Sequence, residues 1–196
     1  MLSVVIPTRE SERILVPTLA ALVPGAAAGV VQDVLIADAG SHDETTKLAD
    51  IAGCRVLVSS APLAERLRAA AALARARWLM FLRAGIVLDG TWIAEAARFI
   101  EDAERTGRPE MRAAVFRPGA RPGAERPALV EALALLKAAL GGRARPDQGL
   151  LVSRALYDRL GGHRDTAVDC EADLLRRLGR RRIVMMRSGI VIATAI

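Results

Sequence analysis

The run Leu2–Pro7 (LSVVIP) is short, β-branched and apolar on both faces. A strand with one wet face would alternate, so this composition suits a strand buried in a parallel sheet. Outward from it, Ser11 opens a helical stretch through Val23, with Pro24-Gly25 as its stop. Val31–Ala37 reads as a second strand. Ser41 or Asp43 is placed to cap the next helix, and Gly53 stands where a C-terminal cap belongs. Cys54–Val58 (CRVLV) is a third strand, and Pro62 starts an Ala-rich helix to Ala76. Trp78–Leu82 (WLMFL) is a fourth strand, followed by a helix over Gly90–Arg105. The repeated β-α order predicts an α/β domain, a mostly parallel central sheet with helices on both faces. Right-handed crossovers then gather the functional loops at the carboxyl ends of the strands.

The second half is less regular. Met111–Arg117 reads as a strand, Arg117–Pro127 (RPGARPGAERP) as a loop, and Leu129–Leu140 as a helix ended by Gly141-Gly142. Gln148–Val152 is a short strand, Arg154–Leu160 a short helix, and Asp169–Leu178 a further helix. Ile183–Met186 and Ile190–Ala193 read as two closing strands. There is no internal repeat, and no linker separates two domains, so the 196 residues are expected to form one.

Hydrophobic residues make up 52% of the chain, yet no run approaches the roughly 18 apolar residues of a membrane span. Met1–Arg9 has no basic segment before its apolar run, so a signal peptide is not expected. Cys54 and Cys170 are too few for a disulfide framework or a zinc site, and a cytoplasmic location is the expectation. Arginine supplies 26 of the 28 basic residues behind the net charge of +6. That excess reads either as a surface bias or as affinity for an anion. Six aromatic residues are too few for base-stacking surfaces, so no nucleic-acid partner is expected.

Polar residues cluster at three strand ends: Pro7-Thr8-Arg9-Glu10, Asp38-Ala39-Gly40-Ser41 and Arg83-Ala84-Gly85. In a doubly wound sheet these line one crevice. Asp38 at such an end reads as a turn residue before Gly40-Ser41, or as an acceptor for a nucleobase ring N–H. Taken in order, SVVIPTRESE, DVLIADAGSHDET, ARWLMFLRAG and PDQGLLVSRALYDRLGG, followed by an acidic helix, resemble a small, soluble subgroup of family 2 glycosyltransferases, which have the GT-A fold. The resemblance runs over nearly the whole chain. It implies a nucleotide-binding half over 1–105 and an acceptor-side half over 106–196.

The resemblance further implies nucleotide contacts from Pro7, Thr8, Glu10 and Asp38. It places a general base for the acceptor hydroxyl at Glu171, with Asp173 second, and an acceptor-side loop at Asp147-Gln148. It also implies a divalent cation, Mg²⁺ or Mn²⁺, held by an acidic motif, and here this chain departs from the family. The motif falls on Arg83-Ala84-Gly85, and Gly85 offers no oxygen side chain to a hard cation. Asp89 lies four residues further on and is expected past the crevice. Arg66 and Arg68 stand where the family has a Gln-x-Asn pair, Cys170-Glu171 stands where it has Glu-Asp, and the sequence stops at Ile196, short of the family's basic tail.

Two readings follow. In one, Arg66, Arg68 and Arg83 take over the neutralising role of the ion at a nucleotide diphosphate, and a sugar is transferred to an unidentified hydroxyl acceptor without metal. In the other, the chain is a non-catalytic GT-A-like domain that binds a nucleotide or a partner protein. A nucleotidyltransferase is disfavoured because no glycine follows strand one in Thr8-Arg9-Glu10-Ser11. Arg66 and Arg68 also read as a solvated helix face, and Asp169, Glu171 and Asp173 as acids favoured by a helix dipole. Arg180-Arg181-Arg182 reads as a solvated turn or as a peripheral contact with an anionic membrane. His42 and His163 are expected to be surface or cap residues rather than ligands, Trp78 and Trp92 to be packing residues, with a Trp after the metal-motif region as an alternative lining of the acceptor site, and a neighbouring carboxylate to keep Cys170 from acting as a nucleophile.

Overall fold

The structure is a computed structural model and describes residues 1–107, 109–118, 144–165 and 168–193. Strand β1 (Leu2–Thr8) lies between β2 (Val31–Asp38) and β4 (Trp78–Phe81), with β3 (Arg55–Val58) outside β2, all four parallel. Beyond β4 come β7 (Leu150–Ser153), β6 (Ala113–Pro118), β8 (Ile183–Ile192) and β5 (Ile86–Leu88), giving the order β3-β2-β1-β4-β7-β6-β8-β5. β7 runs against β4 and β6, so its amino end lies at the carboxyl end of β4, where Phe81 faces Leu150. That reversal brings the second half of the chain to the crevice.

Both faces of the sheet are covered. Leu2, Val4 and Ile6 of β1 join Trp78 and Met80 in a core with helices α1 (Glu12–Ala27), α2 (Thr45–Ile51) and α4 (Trp92–Arg105). Val5, Leu35, Leu79 and Phe81 point to the other side, against α3 (Leu63–Leu73), α5 (Arg154–Arg159) and α6 (Cys170–Leu178). Burial of alternate residues on opposite faces is why these strands read as unbroken apolar runs. No helix among the described residues is long and apolar enough to cross a membrane.

Three expectations need correction. Helix α1 does not stop at Pro24-Gly25 but continues to Ala27, with Pro17 and Pro24 inside it. Proline removes a donor yet keeps its carbonyl, and the carbonyls of Pro24 and Gly25 accept from Ala28 and Val30 at 3.0 and 2.9 Å. The two closing strands are one, β8. Its polar interruption is not a turn, because the Glu95 carboxylate accepts from the amides of Arg187 (3.2 Å) and Ser188 (2.7 Å), and Asp89 accepts from that of Gly189. Strand β5 was not anticipated, since three residues are too short for a periodic signal. The helix expected over Leu129–Leu140 and most of the loop over Arg117–Pro127 lie outside the described residues.

Gly25 is required by packing rather than by its backbone angle. A Cβ there would stand 2.6 Å from the buried Trp92 ring and 3.1 Å from Val31. Trp92 is pinned through its indole N–H to the Ala21 carbonyl at 3.2 Å. Gly25→Ala is therefore expected to destabilise the fold by about 2 kcal/mol, the usual scale of core overpacking. Urea unfolding checks this. Adding Trp92→Phe should recover part of the loss, so that the two changes are less than additive.

Candidate functional site

The loops after β1 and β2 are locked together at the carboxyl end of the sheet. Asp38 is fully buried, and its carboxylate accepts four hydrogen bonds. Oδ1 takes the amides of Gly40 and Ser41 at 2.8 and 2.7 Å, and Oδ2 takes the hydroxyls of Thr8 and Ser41, each at 2.7 Å. Burial pushes the Asp38 carboxyl up, but bonds from Ser41, Thr8 and Gly40 outweigh it and hold the group below the usual carboxylate range. Four bonds fill the acceptor capacity of a carboxylate. Asp38 thus organises the loop, with no lone pair left for a ring N–H while all four bonds stand.

Glu10 serves the same scaffold. Its φ of 47° is left-handed, and its carboxylate accepts from the amides of His42 (2.9 Å) and Asp43 (3.2 Å). Pro7 sits where β1 has outrun β4, on the side that would have paired with it, so its missing N–H leaves no ladder bond unmade.

The arginines of α3 diverge. Arg66 turns to the end of β2, with Nη1 donating to the Ala37 carbonyl and Nε to that of Ala61 at 3.2 Å. Arg68 turns to the second half of the chain, donating to the His163 carbonyl at 2.6 Å and to Asp165 at 2.8 Å.

Arg83, just past β4, meets Glu171 in the first turn of α6. Its Nε donates to Glu171 Oε2 at 2.9 Å, and Nη2 donates to the same oxygen. The Glu171 side chain is 11% exposed and that of Arg83 43%. Arg83 Nη1 and Glu171 Oε1 make no hydrogen bond among the described residues, and neither is a sealed atom. Both residues line a cavity of about 390 Å³, bounded by Pro62–Ala64 at the start of α3 and by Arg164, Asp165 and Asp169. Burial raises the Glu171 carboxyl, and Arg83 lowers it only in part, leaving it above the ordinary value. The Arg83 guanidinium is pushed down by desolvation, then raised further by Glu171, Asp169 and Asp147, so it stays charged.

Of four other candidate positions, only Asp169 lines the cavity. Asp169 caps α6, its Oδ1 accepting from the amides of Glu171 (3.1 Å) and Ala172 (2.9 Å). Asp173 faces away and pairs with Arg177 at 2.7 Å and Arg176 at 3.3 Å. Gln148 is buried and spent, donating to the Phe116 carbonyl (3.0 Å) and accepting from the Arg145 amide (2.7 Å). Asp147 is held by Arg145 at 2.7 Å through Oδ2, while its Oδ1 is a sealed oxygen with no partner among the described residues.

Solved structures share this fold. S. aureus TarS (residues 1–349) superposes with a TM-score of 0.69 at 13% identity, over 98% of this chain and 60% of that one. A second structure of it contains UDP-GlcNAc and superposes with a TM-score of 0.68 at 14% identity. Glucosyl-3-phosphoglycerate synthase from Mycobacterium tuberculosis, solved with Mn²⁺, UDP and glucosyl-3-phosphoglycerate, gives 0.65 at 20% identity, over 99% of this chain and 72% of that one. The fold is GT-A. No family model matches the sequence, and no curated protein matches it. The chain thus spans about 60% of the length of the TarS structure it resembles.

Within the GT-A frame, the divalent cation implied by the sequence resemblance does not fit these residues. Gly85 holds φ at +89°, and its amide donates to Thr18 Oγ1 at 2.9 Å and the Ile14 carbonyl at 3.1 Å. A side chain there would start 3.6 Å from the Ile14 Cβ, against α1 rather than in the cavity. Asp89 is consumed by Thr91, at 2.6 Å to its hydroxyl and 2.9 Å to its amide, and by Gly189. No cluster of three His, Cys, Asp or Glu side chains suited to a metal exists among the described residues. The cation beside Glu171 is Arg83.

Sequence reasoning missed the pairing of Arg83 with Glu171, 88 residues apart, and the roles of Arg164, Asp165 and Asp169 around the cavity. Only the N-cap position of Asp169 carried a local signal. Cys170 borders the cavity but is buried, which pushes its thiol up to about 11, with Glu171 adding to the rise. It is no nucleophile at neutral pH.

Proposed function

We propose that this chain is a glycosyltransferase that takes a nucleotide diphosphate sugar in the crevice without a divalent cation and passes the sugar to a hydroxyl acceptor. The observation that carries the reading is one cavity lined by both Arg83 and the largely buried Glu171, whose Nη1 and Oε1 make no hydrogen bond among the described residues. GT-A neighbours solved with UDP or UDP-GlcNAc support the choice of donor class. The acceptor oxygen attacks the anomeric carbon, its proton passes to Glu171 Oε1, and the bond from that carbon to the diphosphate oxygen breaks. The diphosphate leaves with the electron pair and gains negative charge, which the Arg83 fork stabilises. A carboxyl raised by burial suits a group that must accept a proton near neutral pH. The free, buried thiols of Cys54 and Cys170 support a reducing compartment such as the cytoplasm.

In this reading Arg66, at the end of β2, and the loop built by Thr8, Glu10 and Asp38 form the nucleoside side of the crevice. Arg68, Asp173 and Gln148 act as structural braces. A non-catalytic nucleotide-binding domain is the second reading, favoured by the pairing of Glu171 with Arg83, which occupies the base.

A thermal-shift panel of UDP, GDP and ADP, each with Mn²⁺ and with EDTA, tests binding. One of them is expected to raise the Tm equally in both. Arg83→Ala should weaken that nucleotide about tenfold, the scale of a lost charge-assisted hydrogen bond. A shift that appears only with Mn²⁺ rejects the metal-free donor site. Release of nucleoside diphosphate from the matching sugar nucleotide separates the transferase from the non-catalytic domain.

A further inference from the structure

Arg83 and Glu171 are each other's only ion-pair partner among the described residues. The chemistry above asks each of them for something else: a diphosphate for one, a proton for the other. We infer that the Arg83–Glu171 pair is a latch, opened when the donor diphosphate draws the Arg83 guanidinium off Glu171, so that donor binding releases the base. The inference rests on the proposed nucleotide-sugar site and adds an order to it: donor first, acceptor chemistry second.

The geometry favours exchange of the arginine. Both of its engaged N–H groups converge on one oxygen, Glu171 Oε2, while Nη1 makes no hydrogen bond among the described residues and the side chain lines the cavity. A phosphate offers two oxygens spaced for parallel N–H bonds, a better match to the planar fork than a single oxygen. Glu171 is the fixed partner, set in the first turn of a helix whose cap, Asp169, bonds the Glu171 amide at 3.1 Å. Arg83 is the more exposed and the longer side chain.

Departure of Arg83 leaves Glu171 without a cation. Among the groups facing the pair, Asp169 repels its charge, and Asp147 acts on Arg83 but is itself held by Arg145. Asp165 is held by Arg68. His163, on the far side of Glu171, is neutral at physiological pH. Arg164, at the cavity rim, makes no ion pair among the described residues and donates to the Leu160 carbonyl at 3.2 Å, and Arg66, on the Cys170 side, is spent on the carbonyls of Ala37 and Ala61. The unlatched carboxyl therefore gains proton affinity, and donor binding should draw a proton from solution.

Calorimetric titration with the nucleoside diphosphate giving the largest thermal shift, in two buffers of different ionisation enthalpy at pH 6.5, measures this. The wild type is expected to take up protons from solution as the nucleotide binds. Glu171→Gln, which leaves Arg83 without a competing anion, should bind the nucleotide about tenfold more tightly with no proton uptake. Absence of uptake in the wild type, or a Glu171→Gln affinity no tighter than wild type, overturns the latch while the nucleotide site stands. If none of UDP, GDP and ADP binds the wild type, the nucleotide-sugar reading fails and the latch falls with it.

Discussion

Asp38→Ala is expected to lower folding stability by about 4 kcal/mol, a large share of the roughly 5–15 kcal/mol typical of a domain. The substitution removes a fully buried carboxylate and strands four donors: two amides and two hydroxyls. Each bond to a charged acceptor is worth about 1.5–3 kcal/mol, and buried donors left unpaired carry a desolvation cost. Water reaches the half-exposed Gly40 and Ser41 and recovers part of that sum, whereas Thr8 is buried and has no substitute. Ser41 also accepts from the Glu10 amide at 2.9 Å, so its displacement loosens the β1 loop.

Asp38→Asn is the informative companion. The amide oxygen keeps the backbone bonds to Gly40 and Ser41, while its NH₂ faces hydroxyls that must turn round to accept. A loss of about 1–2 kcal/mol is expected. Urea midpoints of the three proteins decide the matter. If Asp38→Ala costs less than about 1 kcal/mol yet abolishes nucleotide binding, the carboxylate belongs to the ligand and not to the loop.

Asp38 also marks how far the sequence could be read. Its place at a strand end followed by Gly-Ser was legible, as were the four parallel strands, because burial on two faces writes itself into a short run such as LSVVIP. The turn reading and the ligand reading of Asp38 share one local signature, so only the count of its bonds separates them. Neither Ser41 nor Asp43 holds the N-cap of α2, which is Glu44; Asp43 instead ties the loop, its Oδ1 accepting from the Thr45 amide at 3.1 Å and its Oδ2 from the Glu12 amide at 3.1 Å. Pro24-Gly25 misled for a tertiary reason, because Trp92, 67 residues on, needs the space a side chain would fill. The Arg83–Glu171 pair was out of reach for the same reason. Position in the family pattern singled out each residue, but only the antiparallel return of β7 and the placement of α6 bring them together.

Acidification is expected to cost the protein up to about 3 kcal/mol between pH 6.5 and 4 through His163 alone. His163 is 1% exposed, packed edge-on to Phe81 at 4.8 Å, with Nδ1 2.9 Å from the Tyr157 hydroxyl. Its backbone N–H also donates to that hydroxyl, at 3.3 Å. Burial, with the positive charges of Arg177 and Arg68 behind it, drives His163 down from 6.5 to about 4, and Asp169 opposes this only weakly. A depressed folded value means the unfolded chain binds the proton first. Stability is therefore full above pH 6.5, falls as pH drops toward 4, and levels below it.

The carboxyls of Asp38, Asp89 and Glu95, held below their ordinary values, also weaken the fold on acidification, but in the window below about pH 4. Glu171 works the other way. Its raised carboxyl adds stability at low pH that is lost as pH rises, so it offsets part of the His163 slope. Urea unfolding at pH 7.5, 6, 5 and 4.5 measures the sum, and the same series in Glu171→Gln should steepen it. His163→Gln is expected to be less stable at pH 7.5 and to lose the fall toward pH 4.5, leaving the opposite, Glu171-driven slope. A slope unchanged in His163→Gln assigns the acid sensitivity to another group.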